Sequence, residues 1–273
     1  MSQVTLITPT HGWWDLGLAE LWQARELLFT LIGRDLRVRY KNTMLGAAWA
    51  VLQPLLSTSI LTAVFAGVLH LGTGIRDYLS YTLLGFTFWQ FWSASVGTGA
   101  NSVFEQIGML KKVYFPRAFA PLTIVGRSAW DFGVVSVVTW LILLSQGQAF
   151  SWVALGGYLL GFFLLALFAS GLALLLSIVN AVWRDCRHLI PFVLQVWFYV
   201  TPVFYDTSLL ANRLPWLAAI NPVAQILALV RTAVFDSTLD WSRALLLLLV
   251  GLLTFILGLS VFRQLEGVAI DRA

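Results

Sequence analysis

Few side chains in this sequence could do chemistry, and those that could are scattered along it. Only three lysines are present, and none follows a glycine in the G-x-x-x-x-G-K-[ST] loop that cradles nucleotide phosphates. The histidines, His11, His70 and His188, lie in different predicted segments, and no Cys or His cluster has metal-ligand spacing. The sequence therefore predicts neither ATP binding nor a metal site within this chain.

One carboxylate falls inside a predicted apolar span. Asp131 follows Arg127 by four residues, so the two can share one face of a helix, where each reduces the cost of burying the other. We predict that Arg127 and Asp131 form an intramembrane pair. Two roles for it stay open: a structural ion pair that faces protein, and a group that couples or gates transport.

The elements that must position these residues are membrane helices. Of 273 residues, 59% are hydrophobic and 11% are charged, whereas about a quarter are charged in typical soluble domains. Six apolar stretches are candidates to cross a hydrocarbon layer of roughly 30 Å, although the fifth is short. They are 45–70, 78–100, 118–144, 152–180, 189–206 and 244–262. The predicted fold is an all-α polytopic membrane protein with six transmembrane helices.

Two further segments complete the predicted architecture. Apolar residues recur at helical spacing among charged ones over residues 16–41, which predicts an amphipathic helix at the membrane interface. Between the fifth and sixth spans, Pro215 and Pro222 interrupt apolar segments too short to cross, which predicts short re-entrant or interfacial helices that form a periplasmic gate. We divide the chain into a cytoplasmic N-terminus with its interface helix, 1–42, and a six-helix transmembrane domain, 43–273.

The basic residues predict the orientation of the spans. All but four of the 17 lysines and arginines fall on one predicted side or within the third span, and the four are Arg76, Arg213, Arg231 and Arg243. Because cytoplasmic loops carry the excess of positive charge, both termini are predicted to be cytoplasmic.

Five short segments occur in the order in which they occur in one family of transporters. They are Tyr40–Trp49 with Pro54, Lys111–Arg117, Trp183–Asp185, Thr201–Tyr205 and Asn221 with Pro222. They are distributed along the chain from Tyr40 to Pro222, and the chain resembles the ABC-2 type permeases that export bacterial cell-surface polysaccharides such as O-antigen, capsule and teichoic acid.

The resemblance implies a function and a set of partners. The chain is expected to be the permease subunit of an ATP-driven exporter that moves polyprenyl-pyrophosphate-linked polysaccharide, such as O-antigen, across the bacterial inner membrane. It is expected to form a homodimer with two copies of a separate P-loop ATPase, which binds the ATP and Mg. No cofactor is expected in this chain, and no nucleic-acid partner.

The resemblance also implies roles for polar residues on the cytoplasmic side. Residues before the first span are expected to receive the pyrophosphate through charge-assisted hydrogen bonds, or else only to set topology. They are Arg34, Arg37, Arg39, Tyr40, Lys41, Leu45 and Gly46. Residues around the loop after the second span are expected to couple to the ATPase, or else to anchor lipid headgroups. They are Glu105, Lys111, Lys112, Phe115 and Arg117.

Aromatic residues form the third predicted group. Their rings stack on the apolar faces of sugars, which would suit a glycan channel, although interfacial belts and packing against other helices are alternative roles. The predicted channel-lining residues are Trp49, Phe88, Trp89, Trp92, Trp197, Tyr199 and Tyr205.

Two other functions are alternatives to polysaccharide export. One is an ABC-2 exporter of another lipid or of a drug. The other is a membrane-embedded glycosyl- or acyltransferase, for which Asp185 with His188, and Asp206 with Asp236 and Asp240, are the available groups, without convincing catalytic spacing. The chain is therefore predicted to be a transport permease and not an enzyme.

Overall fold

The computed structural model describes residues 16–41, 46, 48–68, 77–106, 116–183 and 185–272. Within these ranges the regular structure is entirely helical, and a π-helical turn, Ala63–Val68, extends the third helix. The helices, numbered in chain order, are α1 Leu18–Gln23, α2 Arg25–Tyr40, α3 Ala48–Thr62, α4 Tyr78–Glu105, α5 Phe119–Ser145, α6 Trp152–Val182, α7 Cys186–Val200, α8 Thr207–Arg213, α9 Pro215–Ile220, α10 Pro222–Phe235 and α11 Trp241–Arg272. The all-α prediction is confirmed.

Four helical segments of the described chain are long and apolar enough to cross a membrane: Ala48–Gly67, Phe119–Ser145, Trp152–Val182 and Trp241–Gly267. They correspond to the first, third, fourth and sixth predicted spans. The second predicted span is the 28-residue α4, which is long but less apolar, and the fifth is the 15-residue α7. The count of six spans therefore stays a prediction.

Helix α4 lies at the centre of the bundle and contacts both α5 and α6. From Tyr78 to Trp92, every residue except Leu79 and Gln90 is buried. Because protein covers this helix on nearly all sides, its serines, threonines and glycines need not face lipid, which explains its lower hydropathy.

Helices α6 and α11 run parallel and pack along much of their length. They approach most closely at Gly171 and Gly258: a Cβ atom at Gly171 would lie 2.6 Å from the backbone nitrogen of Phe255, and one at Gly258 would collide with the backbone of Gly171. Small residues at such crossings let helix backbones make close van der Waals contact, which is common in membrane proteins.

Two apolar clusters divide the bundle into two ends. The smaller cluster joins Leu31 of α2 and Phe119 of α5 to Ile178 of α6 and Phe262 of α11. We call this end, where α5 begins and α4, α6 and α11 finish, the basic end. The larger cluster extends to the opposite end, which we call the outer end. Helices α8, α9 and α10, which form the outer segment between the fifth and sixth predicted spans, lie there.

The predicted interface helix is interrupted at Ala24, so it consists of two helices, α1 and α2. Leu31 is buried, and Ile32 lies against Gly126 of α5, whereas Trp22 and Phe29 point outward and are about 70% exposed. Helix α2 therefore packs its inward face along the first half of α5, and its position at the membrane interface stays a prediction.

The predicted interruptions of the outer segment are confirmed, since α9 begins at Pro215 and α10 begins at Pro222. The side chain of Asn221 caps α10 by accepting hydrogen bonds from the backbone nitrogens of Val223 and Ala224, and proline fits the first turn because it has no N–H to leave unpaired. Helix α10 is mostly buried, so it forms part of the core.

Candidate functional sites at the two ends of the bundle

The predicted pyrophosphate-binding residues lie on the last turns of α2 and just beyond it. Arg34 donates to Asp35 at 2.9 Å, and the Nε of Arg37 donates to the carbonyl of Gly33. Arg37 and Lys41 are both exposed and form no ion pair within the described ranges. Gly46 has a positive φ of 51°, a conformation that favours glycine.

Two members of that group cannot be placed fully. Tyr40 ends α2, but its side chain lies outside the described part of the structure, as does all of Leu45.

Arg39 at the end of α2 forms an ion pair that the sequence did not predict. Its Nη1 lies 2.5 Å from Oδ2 of Asp131, twelve residues into α5, and the two side chains are 45% and 21% exposed. Both residues border a cavity of about 50 Å³ with Gln90 of α4 and Ser128 of α5.

The predicted pair of Arg127 with Asp131 is therefore corrected. Asp131 turns to α2, and the buried Nε of Arg127 has no hydrogen-bond partner within the described ranges. The spacing of four residues allowed the pair, but a carboxylate on a packed helix is also within reach of neighbouring helices.

The predicted ATPase-coupling residues border a segment that the structure does not describe. Glu105 is the exposed last residue of α4, and Arg117 is half-buried just before α5, whereas Lys111, Lys112 and Phe115 lie outside the described residues. The structure also places Arg187 of α7 near this group, although the sequence did not predict it. Its guanidinium carbon lies 3.8 Å from the ring centroid of Phe104, the residue before Glu105.

Three of the seven aromatic residues predicted to line a channel are instead packed in the core. Phe88 and Trp92 are fully buried, and Trp89 is 6% exposed. Trp92 packs edge-on against Trp197 of α7 with ring centroids 4.8 Å apart. The ring centroids of Trp89 and Phe198 are 5.3 Å apart. This corrects the prediction for Phe88, Trp89 and Trp92, whose rings join α4 to its neighbours.

The other four predicted aromatic residues are at least partly accessible. Tyr199 and Trp49 are 60% and 49% exposed. Tyr205 is half-buried, as is Trp197, whose indole Nε1 donates to the side-chain oxygen of Asn221 at 3.0 Å.

At the outer end, the structure places Arg231 of α10 in a site that sequence reasoning missed. The side chain is 4% exposed, and its terminal nitrogens donate to the backbone carbonyls of Pro202 at 2.5 Å and Val203 at 2.8 Å. Its guanidinium carbon lies 3.5 Å from the ring centroid of Tyr81, and no carboxylate within the described ranges forms an ion pair with it. Only its position in an apolar helix could have drawn attention to it.

Glycine makes this arrangement possible. A Cβ atom at Gly85 of α4 would lie 2.6 Å from Nη2 of Arg231 and 2.8 Å from the carbonyl oxygen of Val203. Arg231 thus joins α10 to α4 and to the non-helical segment 201–206 that follows α7.

Beside Arg231 lies a cavity of about 700 Å³, which we call the outer cavity. Its walls are formed by the first turns of α4, α8 and α11 and by residues along the whole of α10. Its polar lining includes Asp77, Gln148, Asp206, Gln225 and Asp236, which come from four separate parts of the chain, because Gln225 lies in α10 and Asp236 caps its C-terminal end.

Asp240 lies close to the outer cavity in sequence but does not line it. Its Oδ1 accepts hydrogen bonds from the hydroxyl of Ser242 at 2.6 Å and from the backbone nitrogen of Arg243 at 3.0 Å. The hydrogen bond from Ser242 lowers the pKa of the Asp240 carboxyl, which favours the charged form at the beginning of α11.

Comparison with known proteins identifies the family. Residues 26–235 match the family described as ABC-2 type transporter. The chain belongs to the ABC-2 type transporter family. As an ABC-2 type transporter it is a membrane transport protein rather than an enzyme, in agreement with its apolar helices.

The similarity to individual ABC-2 type transporters extends over most of the chain. It is 28% identical to an O-antigen export system permease protein RfbA of Klebsiella pneumoniae, over 88% of this chain and 92% of that protein. It is 28% identical to the O-antigen export system permease protein RfbA of Myxococcus xanthus, over 84% and 88%. It is 21% identical to the polysialic acid transport protein KpsM of Escherichia coli, over 85% and 91%.

Proposed function

We propose that this chain is the transmembrane permease subunit of an ATP-driven exporter that moves a polyprenyl-pyrophosphate-linked polysaccharide, such as O-antigen, across the bacterial inner membrane. The observation that carries the proposal is the similarity to O-antigen export permeases over most of the chain. It is supported by the similarity to a polysialic acid transport protein, because both classes of relative are named for carrying polysaccharides.

The proposed engine is a separate ATPase. The sequence has no P-loop lysine, so ATP and Mg bind to the partner, and the proposed assembly is a homodimer of permeases with two ATPase subunits. The basic end is the proposed docking face, with Glu105 and Arg117 on either side of the segment that contains Lys111, Lys112 and Phe115. The exposed Trp22 and Phe29 of α1 and α2 lie at this same end.

The proposed topology has six spans, with both termini and the basic end in the cytoplasm. Helix α4 is about 42 Å long at 1.5 Å per residue, which is enough to cross the bilayer inside a protein shell. Helix α7 crosses with the help of the following segment to Asp206, and α8, α9 and α10 form the periplasmic gate. Residues 1–42 form the cytoplasmic part, and 43–273 form the transmembrane domain.

The pyrophosphate is proposed to meet the exposed cations at the end of α2. Arg37 and Lys41 carry no carboxylate partner within the described ranges, so both can form charge-assisted hydrogen bonds to phosphate oxygens. Arg34 and Arg39 position this turn through their contacts with Asp35 and Asp131. Tyr40, Leu45 and Gly46 connect it to the first span.

The accessible aromatic residues Trp49, Trp197, Tyr199 and Tyr205 are the proposed sugar contacts along the pathway. The structure supports this only through their exposure, which leaves ring faces available for stacking. In the same proposal, Arg127 and Asp131 are structural groups of the third span.

Deletion and complementation in the host strain test the proposal. The deletion strain is expected to lack surface polysaccharide and to accumulate it on its lipid carrier inside the cell, and the wild-type chain is expected to restore export. The tagged chain is expected to co-purify with an ATPase subunit. Normal surface polysaccharide in the deletion strain, or transport of another lipid or a drug instead, would overturn the proposal.

Site variants test the proposed cytoplasmic binding turn. The double variant Arg37→Gln, Lys41→Gln is expected to lower polysaccharide export about tenfold, because two charge-assisted hydrogen bonds are lost. Arg25→Gln is the matched control, since Arg25 is also exposed and, like Arg37, donates to a nearby backbone carbonyl, but it lies at the beginning of α2, away from the proposed binding turn. Equal export by the double variant and the control would exclude a substrate role for the two cations.

A further inference from the structure

The outer cavity is of the size that proteins use to bind small molecules. Its volume of about 700 Å³ falls within the range of roughly 300–1,000 Å³ that is usual for ligand pockets. It lies at the outer end, beside Arg231 and the segment 201–206, where a polymer that leaves the proposed pathway would pass.

The polar lining of the outer cavity is rich in hydrogen-bond acceptors. Asp77, Asp206 and Asp236 contribute carboxylates and form no ion pair within the described ranges. The amide nitrogen of Gln148 donates to the carbonyl of Val234, and that of Gln225 donates to the carbonyl of Ala218, each at 2.7 Å. Each glutamine therefore keeps its amide oxygen as an acceptor, and a matching ligand must supply donors.

The same lining disfavours a metal ion as that ligand. Within the described ranges, no group of three His, Cys, Asp or Glu side chains is arranged to hold a metal. The cavity is also lined by Arg231 and Arg243, whose positive charges repel a cation. The ligand must therefore supply hydrogen-bond donors without carrying a positive charge. A saccharide, which is rich in hydroxyl groups, meets both requirements.

Arg231 adds a second, independent feature of a ligand site. It lines the outer cavity, is 4% exposed, and its Nε has no hydrogen-bond partner within the described ranges. Its other nitrogens hold the carbonyls of Pro202 and Val203, so one side chain connects the cavity to the segment after α7. A ligand in the cavity would therefore lie against the segment that joins α7 to α8.

We propose that the outer cavity binds sugar units of the transported polysaccharide, whose hydroxyl groups donate to Asp77, Asp206, Asp236 and the amide oxygens of Gln148 and Gln225. This inference rests on the proposed export of a polysaccharide. It adds a site within each chain, on the outer side, that holds the polymer as it leaves.

Binding to the full-length permease with its ATPase partner, in lipid nanodiscs, tests the proposal. The probe is the polysaccharide of the same strain, released from its lipid by mild acid and followed by saturation-transfer NMR. The test variant is the triple Asp77→Asn, Asp206→Asn, Asp236→Asn. Asparagine tolerates the positive φ of 56° at Asp77 and keeps the capping oxygen that Asp206 offers to α8, so the fold is expected to persist.

The triple variant is expected to bind the probe about tenfold more weakly, because it loses three charged acceptors. A second variant, Ala211→Trp, fills the cavity from an exposed position on α8 and is expected to weaken binding as well. The matched control is Asp240→Asn, an exposed carboxylate at the same end that does not line the cavity, and it is expected to bind within about twofold of wild type.

Three results would overturn the inference. They are equal affinity in the triple variant and the control, absence of probe binding to a wild-type chain that restores export, and calcium binding that the triple variant abolishes in the absence of the probe. Failure of the wild-type chain to restore surface polysaccharide would instead overturn the proposed function, so the two failures are distinguishable.

Discussion

Arginine side chains join helices at both the basic end and the outer end of the bundle, but the groups that stabilise the positive charge differ between the two ends. At the basic end, Arg39 and Arg263 pair with carboxylates of other helices, Asp131 and Glu20, in partly exposed surroundings. At the outer end, Arg231 is buried and is held by backbone carbonyls and an aromatic ring.

The difference predicts unequal energetic roles. A partly exposed ion pair contributes little, because water already solvates both charges and the side chains lose entropy. A buried guanidinium that satisfies several carbonyls is costly to remove, since the carbonyls stay behind without donors. Replacing the arginine at the outer end is therefore expected to lower stability more than replacing one at the basic end.

The largest expected effect comes from Arg231→Met. The carbonyls of Pro202 and Val203 would lose their donors in a buried site, and we expect a loss of about 3 kcal/mol of stability together with loss of export. Thermal unfolding of the purified chain in detergent measures the first, and surface polysaccharide measures the second. The control is Arg213→Met, because Arg213 is exposed at the same end. Matching unfolding curves for the two variants would contradict a structural role for Arg231.

A somewhat smaller effect is expected from Gly85→Ala. The added methyl group would lie 2.8 Å from the carbonyl oxygen of Val203, so the backbone of the segment after α7 must shift, at a cost of about 1–3 kcal/mol. Gly156→Ala of α6 is the matched control, since nothing lies within 4 Å of its Cβ position. The comparison uses the same unfolding measurement, and a variant at Gly85 as stable as the control would show that the contact is loose.

A modest effect is expected from the pair at the basic end. A double-mutant cycle of Arg39→Gln with Asp131→Asn should give a coupling energy of about 0.2–1 kcal/mol, as is usual for partly exposed pairs. The cycle of Arg127→Gln with Asp131→Asn is the control and should give a smaller coupling. A larger coupling with Arg127 would restore the pairing predicted from spacing.

The smallest effect is expected from Glu20→Gln. Glu20 is 45% exposed and lies 2.8 Å from Arg263, so its loss should cost about 0.5 kcal/mol or less. This cost should vanish near 1 M salt, where the Debye length is about 3 Å, whereas the effect of Arg231→Met should persist. Unfolding measured at low and high salt separates the two, and equal salt dependence would contradict the contrast between the ends.

Much of the helical layout could be predicted from the sequence because its causes are local. The third predicted span, 118–144, matches α5, and the fourth, 152–180, matches α6, since long apolar runs mark their own limits. The starts of α9 and α10 follow from Pro215 and Pro222, because proline fits the first turn of a helix.

The candidate sites were less predictable, because their contacts join distant parts of the chain. Asp131 reaches Arg39, 92 residues away, in preference to the cation four residues away. The rings of Phe88 and Trp92 looked available for sugars, but helix rotation turned them into the core. The outer cavity combines residues from separate parts of the chain that share no motif.

The sequence by itself determined that this protein is helical and apolar, where its third and fourth predicted spans and the starts of α9 and α10 lie, and to which family it is similar. Hydropathy, proline positions and short motifs are properties of neighbouring residues. Only the tertiary structure decided which charges meet and which aromatic rings are buried. Those outcomes depend on how helices rotate and pack, and the close approach of α4 to the segment after α7, which the missing side chain of Gly85 permits, is what lets Arg231 bind there.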